Sequence, residues 1–388
     1  MGYQERRQLL AEMGRALSCQ VIAYVCGDRP IVGTRLSDDA IRPMYDHLRA
    51  VSFRRGAERR IGLYLYSIGG VMETPWKLVT MLREHCDEFV VVLPYKAYSA
   101  ATMICMGADR ILMTDKAELG PIDPALQPAS GPEAPQQFLL RELGVEDVAS
   151  YVKFLRERAG LTDQAALSSA IGTLAEHLTP TLLGRMERIH GHIRLVARKL
   201  LALCRPPLDD RRISTIVEAL TERTYVHGHG IGRREASEMG LQVEPFDGKA
   251  ARLAWDLFED YEQQLRLDAS PEPLGYFEGV QGDEYAEDGY TGACIESSAL
   301  AHAFLGTWLL QRRRKIPPNP TINVNVSLNL PPSVQPGQLP PDLQKALQQA
   351  VQQAVQQVPR QVTQELTRQS PVESVQGFFR GAAWRRVT

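Results

Sequence analysis

The sequence predicts an α/β protein built on a buried parallel sheet, and three observations predict it. Four short segments, 21–25, 61–66, 89–94 and 110–113, are apolar throughout rather than alternating. A strand covered on both faces meets a core with every side chain, so alternation disappears. Stretches with helical spacing separate these segments, which implies right-handed βαβ connections. A double glycine, Gly69-Gly70, ends the second apolar run, and a run of small residues opens at Ser99 just after the third.

Taken in order, 1–18 reads as an amphipathic helix and 21–25 as a buried strand. A helix is expected over 37–51, with Ser37 or Asp38 as its N-cap. The strand 61–66 runs into the double glycine, and a helix follows over 74–85. After the strand 89–94, residues 99–107 form a buried helix that leads into the strand 110–113. Residues 125–136, rich in Pro, Ala, Gly and Gln, read as a loop. The pattern is helical from 138 to 204. Its clearest stripe carries Leu182, Met186, Ile189, Ile193, Val196, Leu200 and Leu203. Shorter helices are expected over 213–221 and 233–239, and 240–243 turns into a final strand.

Three segments follow from composition. Residues 1–250 form the main domain. Residues 251–315 form a helical and acidic linker region, with a loop over 270–290 and a helix over 296–315. Residues 316–388 begin with a strictly alternating strand, 321–330, and a Pro-rich spacer, 331–341. A Gln-rich helix over 343–366 follows, with Leu347, Val351, Ala354 and Val358 on one stripe.

Several classes are excluded by bulk properties. The 388 residues are 44% hydrophobic and 23% charged, with a net charge of -2. No global basic field draws in nucleic acid or anionic lipid. The cluster Arg312-Arg313-Arg314-Lys315 reads as a solvated helix end. The six cysteines, Cys19, Cys26, Cys86, Cys105, Cys204 and Cys294, are scattered. That spacing argues against a disulfide framework or a metal site and suits a reducing, cytoplasmic setting. Residues 1–19 carry charges throughout, unlike a signal peptide. No stretch reaches the roughly 18 apolar residues of a membrane span. No Walker motif is present, and no cofactor is expected.

Three local signals carry chemistry. The strand ending at 66 meets Ser67-Ile68-Gly69-Gly70, where glycines let backbone N–H groups face a cleft as an oxyanion hole. Read alone, a Gly-Gly pair after a strand is also an ordinary turn. Next, Ser99 stands where a strand passes into a helix, flanked by Ala97, Ala100 and Ala101. It reads either as an N-cap or as a nucleophile whose oxyanion meets a neighbouring N–H and the helix dipole. Finally, Glu118-Leu119-Gly120-Pro121-Ile122-Asp123-Pro124 follows the fourth strand.

Together these segments closely resemble the serine dehydrogenase proteinase family, relatives of signal peptide peptidase A and of the Clp proteolytic subunit. The resemblance lies in Y-S-I-G-G at 66–70, A-Y-S-A-A-T at 97–102, M-G-A-D-R-I-L-M at 106–113 and L-G-P-I-D-P at 119–124. Residues 225–231 and 235–241 look like the family's closing segment. The likeness spans roughly 15–250 and leaves the C-terminal part without a counterpart.

The resemblance implies a Clp/crotonase-type α/β fold of repeated ββα units with an added C-terminal helix and strand region. It implies a serine peptidase acting on peptide or protein substrates through an acyl-enzyme, with Ser99 as nucleophile. The oxyanion hole would be formed by the N–H groups of Gly70 and Ala100, with Gly69 shaping the turn. Where the family has Pro before the double glycine and Gly two residues after the serine, this chain has Ile68 and Ala101.

The base is open at this stage. The Clp histidine position falls near Asp123, and no histidine occurs between Ser99 and His177. A Ser-Lys dyad points to Lys153, whose neighbours Val152, Phe154 and Leu155 are apolar enough to desolvate an amine. Lys153 also reads as an ordinary surface residue on an amphipathic helix. His227 and His229 are the alternative bases. Relatives with this fold form rings or stacks, so a homo-oligomer is expected, and the C-terminal region offers a surface for a separate protein partner. Two other readings remain: a catalytically inactive crotonase-fold scaffold, and an acyl-CoA hydratase or thioesterase.

Overall fold

The computed structural model describes residues 2–29, 31–53, 56–122, 145–223, 229–269, 272–315 and 340–387. They divide into two compact units. The first comprises Met1–Ser270, Gly289–Gly306 and Gly381–Thr388, and the second Pro271–Asp288 and Thr307–Arg380.

The first unit opens with α1 (Tyr3–Leu17), β1 (Gln20–Cys26), α2 (Ile41–Ala50), β2 (Arg60–Tyr66), α3 (Thr74–His85) and β3 (Glu88–Leu93). The short β4 (Lys96–Ala97) leads into α4 (Ala100–Met106), β5 (Arg110–Met113) and β6 (Glu118–Leu119). Then come α5 (Val145–Lys153), α6 (Gln164–His177), α7 (Pro180–Leu201) and α8 (Asp210–Glu218). β7 (Ile231–Gly232), α9 (Arg233–Glu238), β8 (Val243–Pro245) and α10 (Gly248–Leu265) close the run. Strands β9 (Glu284–Ser297), β10 (Ala301–Arg314) and β11 (Val372–Arg386) divide their residues between the two units.

The sheet order is β11-β10-β9-β1-β2-β3-β5-β8. β1, β2, β3, β5 and β8 are parallel, and β9 joins β1 antiparallel. Both faces are buried, which accounts for the uniformly apolar strands. Ile61, Leu63 and Leu65 enter one core with helix residues such as Leu78, Met103, Ile193 and Ile216. The intervening Tyr64 and Tyr66 enter the other, with Leu10, Met13, Leu257 and Phe258. The period-2 geometry of a strand thus persists while its polarity signature vanishes.

A buried ionic knot fixes α1 against the sheet and α10. Arg6 donates to both Glu296 carboxylate oxygens at 2.8 Å and to Asp260 Oδ2 at 2.7 Å. The Tyr261 hydroxyl donates to the same Glu296 at 2.9 Å. These partners lie on α10 and β9, far apart in sequence, and each compensates a charge withdrawn from water.

Residues 296–315 are not the expected helix. They run from the end of β9 through a tight turn into β10, with Ser297 N–H donating to Leu300 O at 2.9 Å. The acidic stretch read as a loop is a strand from Glu284 onward. The alternating segment 321–330 lies outside the described residues, as do Asp123, the loop 125–136 and most of the Pro-rich spacer. The Gln-rich helix is α11 (Pro341–Gln369), within the second unit. In that unit Trp308 meets Tyr276 and Tyr285 edge to face, the two tyrosines pack at a tilt, and the Arg312 guanidinium lies over the Phe277 ring. Arg312 also donates to Gly282 O, while Arg313 bonds Gln376 and Arg314 bonds Asp283 and Ser370 O. Arg312, Arg313 and Arg314 thus take partners from their place on a strand rather than ending a helix.

One buried pair in the first unit titrates. His47 Nδ1 lies 2.8 Å from Ser297 Oγ, and its Nε2 lies 3.1 Å from His302 Nδ1. Burial and then the neighbouring His302 push His47 down to about 3, and burial lowers His302 as well. Both rings therefore fold neutral. The unfolded chain takes up protons near 6.5 that the folded chain refuses, so stability is complete above that pH and falls below it. His47 is expected to add a slope of about 1.4 kcal/mol per pH unit between 6.5 and 3. Chemical denaturation of His47→Gln beside wild type measures it. Equal slopes over that window would refute the neutral-pair account.

Candidate active site

The site sits at the carboxyl end of β2 and is assembled by a second, three-stranded sheet, β4-β6-β7. Ser67, just past β2, bridges Ala97: its N–H donates to Lys96 O at 3.1 Å, and Tyr98 N–H donates to Ser67 O at 3.0 Å. This pairing brings the glycine turn against the serine. A Cβ added at Gly69 would lie 2.8 Å from both Ser99 Cβ and Tyr98 O, and the glycine has φ +107. Only glycine satisfies both the space and the backbone angle.

Ser99 has φ 53 and ψ -116, outside the conformations L-residues prefer, and its side chain makes no capping hydrogen bond. The N-cap reading therefore fails: a capping residue holds extended backbone and accepts an N–H from the first turn. A strained angle of this kind costs on the order of 1–3 kcal/mol and persists where neighbours over-determine it. It lifts the hydroxyl off the helix. Ser99 Oγ is half-buried and donates to the Met72 thioether at 3.4 Å.

Two backbone amides belong to the turns that meet here, those of Gly70 and Ala100. Leu36 engages the Gly69 carbonyl at 2.9 Å and the Val71 N–H at 2.8 Å, which leaves the Gly70 N–H out of that bridge. Ala100 is the first residue of α4, so its N–H is one that no carbonyl within the helix accepts. Neither amide is engaged in the hydrogen bonds just described. On either side of the pair, Ile68 and Val71 expose their side chains. A Cβ at Gly70 would come within 2.0 Å of Leu36 O and 2.5 Å of Leu36 N. Gly70→Ala is therefore expected to break that bridge and destabilise the protein by about 3 kcal/mol. A thermal melt within 1 °C of wild type would contradict this packing.

The L-G-P-I-D-P motif acts here through its first half. Thr102 Oγ1 lies 2.7 Å from both Ala97 O and Gly120 O, and Gly120 N–H donates to Ala97 O at 3.0 Å. These contacts pin the loop that follows β6 to the start of α4.

The candidate bases are placed differently. Ala97 pairs with Leu119 in parallel register, and Leu119 pairs with Ile231 in antiparallel register. Ser99 lies two residues beyond Ala97, and His229 two residues before Ile231. Because β7 runs opposite to β4, both leave the small sheet at the same end. His229 Nε2 lies 3.0 Å from Glu235 Oε1, a pairing the sequence did not single out because Glu235 sits on the following helix. His227 is outside the described residues. Lys153 ends α5 with its side chain exposed, Phe154 beside it is 55% exposed, and Leu155 is buried. Among the described residues, no hydrogen bond joins Ser99 to Lys153 or to His229.

Comparison with known proteins identifies the segment that carries the serine. Residues 40–141 match the family of ClpP-like SDH-type serine proteinases. This is the family that the motifs of 66–124 resemble, and the matched segment contains Gly69, Gly70, Ser99 and Ala100. With the parallel strands β1, β2, β3, β5 and β8 covered on both faces, it makes the fold an α/β fold of the Clp type. Two uncharacterised proteins of Methanocaldococcus jannaschii are similar. One is 24% identical over 221 residues, covering 56% of this chain and 64% of its own length. The other is 22% identical over 206 residues, covering 53% and 58%. The chain thus spans less than two thirds of either relative. A solved serine-to-alanine mutant of the 1510-N membrane-bound stomatin-specific protease is 18% identical, with a TM-score of 0.22. It matches 32% of this chain and 60% of its own. Among the described residues, no helix is long and apolar enough to cross a membrane.

Proposed function

We propose that this protein is a serine peptidase with Ser99 as its nucleophile. The observation that carries the reading is the left-handed backbone of Ser99 at a strand-to-helix turn, with its hydroxyl withheld from capping. Ser99 Oγ attacks a peptide carbonyl. The Gly70 and Ala100 N–H groups receive the oxyanion, and losing one such donor costs about 3 kcal/mol of transition-state stabilisation. A base takes the serine proton and returns it to the leaving amine. Water then attacks the acyl-enzyme and frees the serine.

The register of the small sheet supports His229 as that base, with Glu235 orienting its ring. A Ser-Lys dyad through Lys153 is the second reading. It is favoured by the spacing of Lys153 from Ser99 along the chain and by the buried Leu155 close by. Cytoplasmic location, homo-oligomeric assembly and a partner for the C-terminal region belong to the same proposal. The inactive-scaffold and acyl-CoA readings predict no activated serine. Incubation of the full chain with a fluorophosphonate probe, followed by peptide mapping, separates them. The expected adduct lies on Ser99, and a folded protein that takes no probe would sink the peptidase reading.

A further inference from the structure

The strained turn at Ser99 needs something to hold it, and the residue before it is unusually well anchored. Tyr98 N–H donates to Ser67 O, and Tyr98 O accepts from Ala101 N–H at 2.9 Å. The ring packs flush on Gly120, where an added Cβ would lie 2.7 Å from Tyr98 Cγ and 2.8 Å from Cδ1. The phenol donates to Glu118 Oε1 at 2.7 Å. Glu118 has a second neighbour on the opposite side. A Cβ added at Gly230 would lie 2.5 Å from Glu118 Oε2, so the backbone beside His229 rests against the same carboxylate. Glu118 itself is fixed by the ladder: its N–H donates to Tyr95 O at 2.7 Å, and it pairs with Lys96 and Gly232.

We propose that Glu118 is a positioning residue that ties the residue before the nucleophile to the residue after His229. One carboxylate oxygen holds Tyr98, and the other seats Gly230. The side chain thereby sets both the orientation of Ser99 and the approach of the histidine-bearing segment. Tyr98 and Gly230 are its two contact points. Neither Tyr98 nor Glu118 touches substrate. Burial and the Glu118 hydrogen bond push the Tyr98 phenol up, so it stays a donor over the working range. This inference rests on Ser99 being the nucleophile.

The test measures the rate constant and the affinity of fluorophosphonate labelling at Ser99 in the full chain. Tyr98→Phe keeps the ring and removes the donor. Glu118→Ala removes the acceptor, and Glu118→Gln keeps one. A hydrogen bond to a charged acceptor predicts roughly a ten-fold fall in the labelling rate constant for Tyr98→Phe and for Glu118→Ala. Probe affinity is expected to stay within about two-fold, because positioning acts on the reacting geometry rather than on binding. Glu118→Gln is expected to recover most of the rate. The Tyr98→Phe/Glu118→Ala double variant should be no slower than the slower single variant, since each single variant already removes the Tyr98–Glu118 hydrogen bond.

Wild-type labelling by folded Tyr98→Phe would overturn the proposal, as would losses that multiply in the double variant. A wild-type protein that takes no probe fails the peptidase reading instead. The proposal is then judged by amide exchange over 97–101. Faster exchange in Tyr98→Phe supports the clamp, and unchanged exchange overturns it.

Discussion

Ser99→Ala is expected to lose roughly a million-fold in acylation while melting within about 1 °C of wild type, the pattern of removing a nucleophile that supports no structure. The two halves of this result come from the same geometry. The hydroxyl makes one contact, with the Met72 thioether at 3.4 Å, and caps nothing. Removing a true N-cap costs about 1 kcal/mol. Here no such hydrogen bond is lost, and alanine carries the same Cβ at φ 53 that serine does. The backbone strain is therefore unchanged, and so is the stability. Fluorophosphonate labelling and differential scanning calorimetry on the same preparation measure both quantities. A variant that melts well below wild type would return Ser99 to a structural role. One that still labels would place the nucleophile elsewhere.

Much of the fold and site was legible because the relevant physics is local. The strands at 21–25, 61–66, 89–93 and 110–113 announce themselves by apolar runs, and the intervening helices by stripes. The parallel order follows from their alternation. The turn at Gly69 was legible because a turn that admits only glycine leaves a mark in sequence. What escaped depends on partners far along the chain. Residues 296–315 contain Ala, Leu and Arg in helical proportions, yet β9 pairs with β1 through contacts such as Ile22 with Ser297 and Tyr24 with Ile295. Pairing across some 270 residues overrides a weak local preference. At the acidic start of β9, Glu284, Ala286 and Asp288 are exposed and the positions between them half-buried, and charge there masks the strand. β11 has no apolar run at all. Its Trp384 instead packs on Tyr24 and Phe304, contacts no window of sequence contains.

The same distinction explains why the base was hard to read. A nucleophile is betrayed by the turn that carries it, but a base only has to arrive in space. Lys153 lies within a plausible spacing of Ser99 in sequence, and its apolar neighbours suggested a desolvated amine. The side chain is nonetheless exposed, and so is Phe154. The His229 segment arrives through β7, a strand of two residues whose pairing with β6 no propensity announces.

The choice of base therefore yields the second large effect. His229→Ala is expected to lower the rate of Ser99 labelling roughly 10²- to 10⁴-fold, the span over which a positioned general base acts. Lys153→Ala is expected to stay within about two-fold of wild type, as for an exposed side chain. Both variants should keep their fold. His229 and Glu235 form an exposed pair, and such pairs contribute at most about 1 kcal/mol. Lys153 ends its helix without an ion pair among the described residues. Glu235→Gln should fall between the extremes, since it removes the charge that orients the imidazole but keeps an acceptor for its N–H. The opposite ranking, with Lys153→Ala inert and His229→Ala active, would establish the dyad and require α5 to carry its amine to the serine. If both single variants stay active, the proton goes to His227 or to a group beyond the described residues. The register of β4, β6 and β7 would then order the backbone without supplying the base.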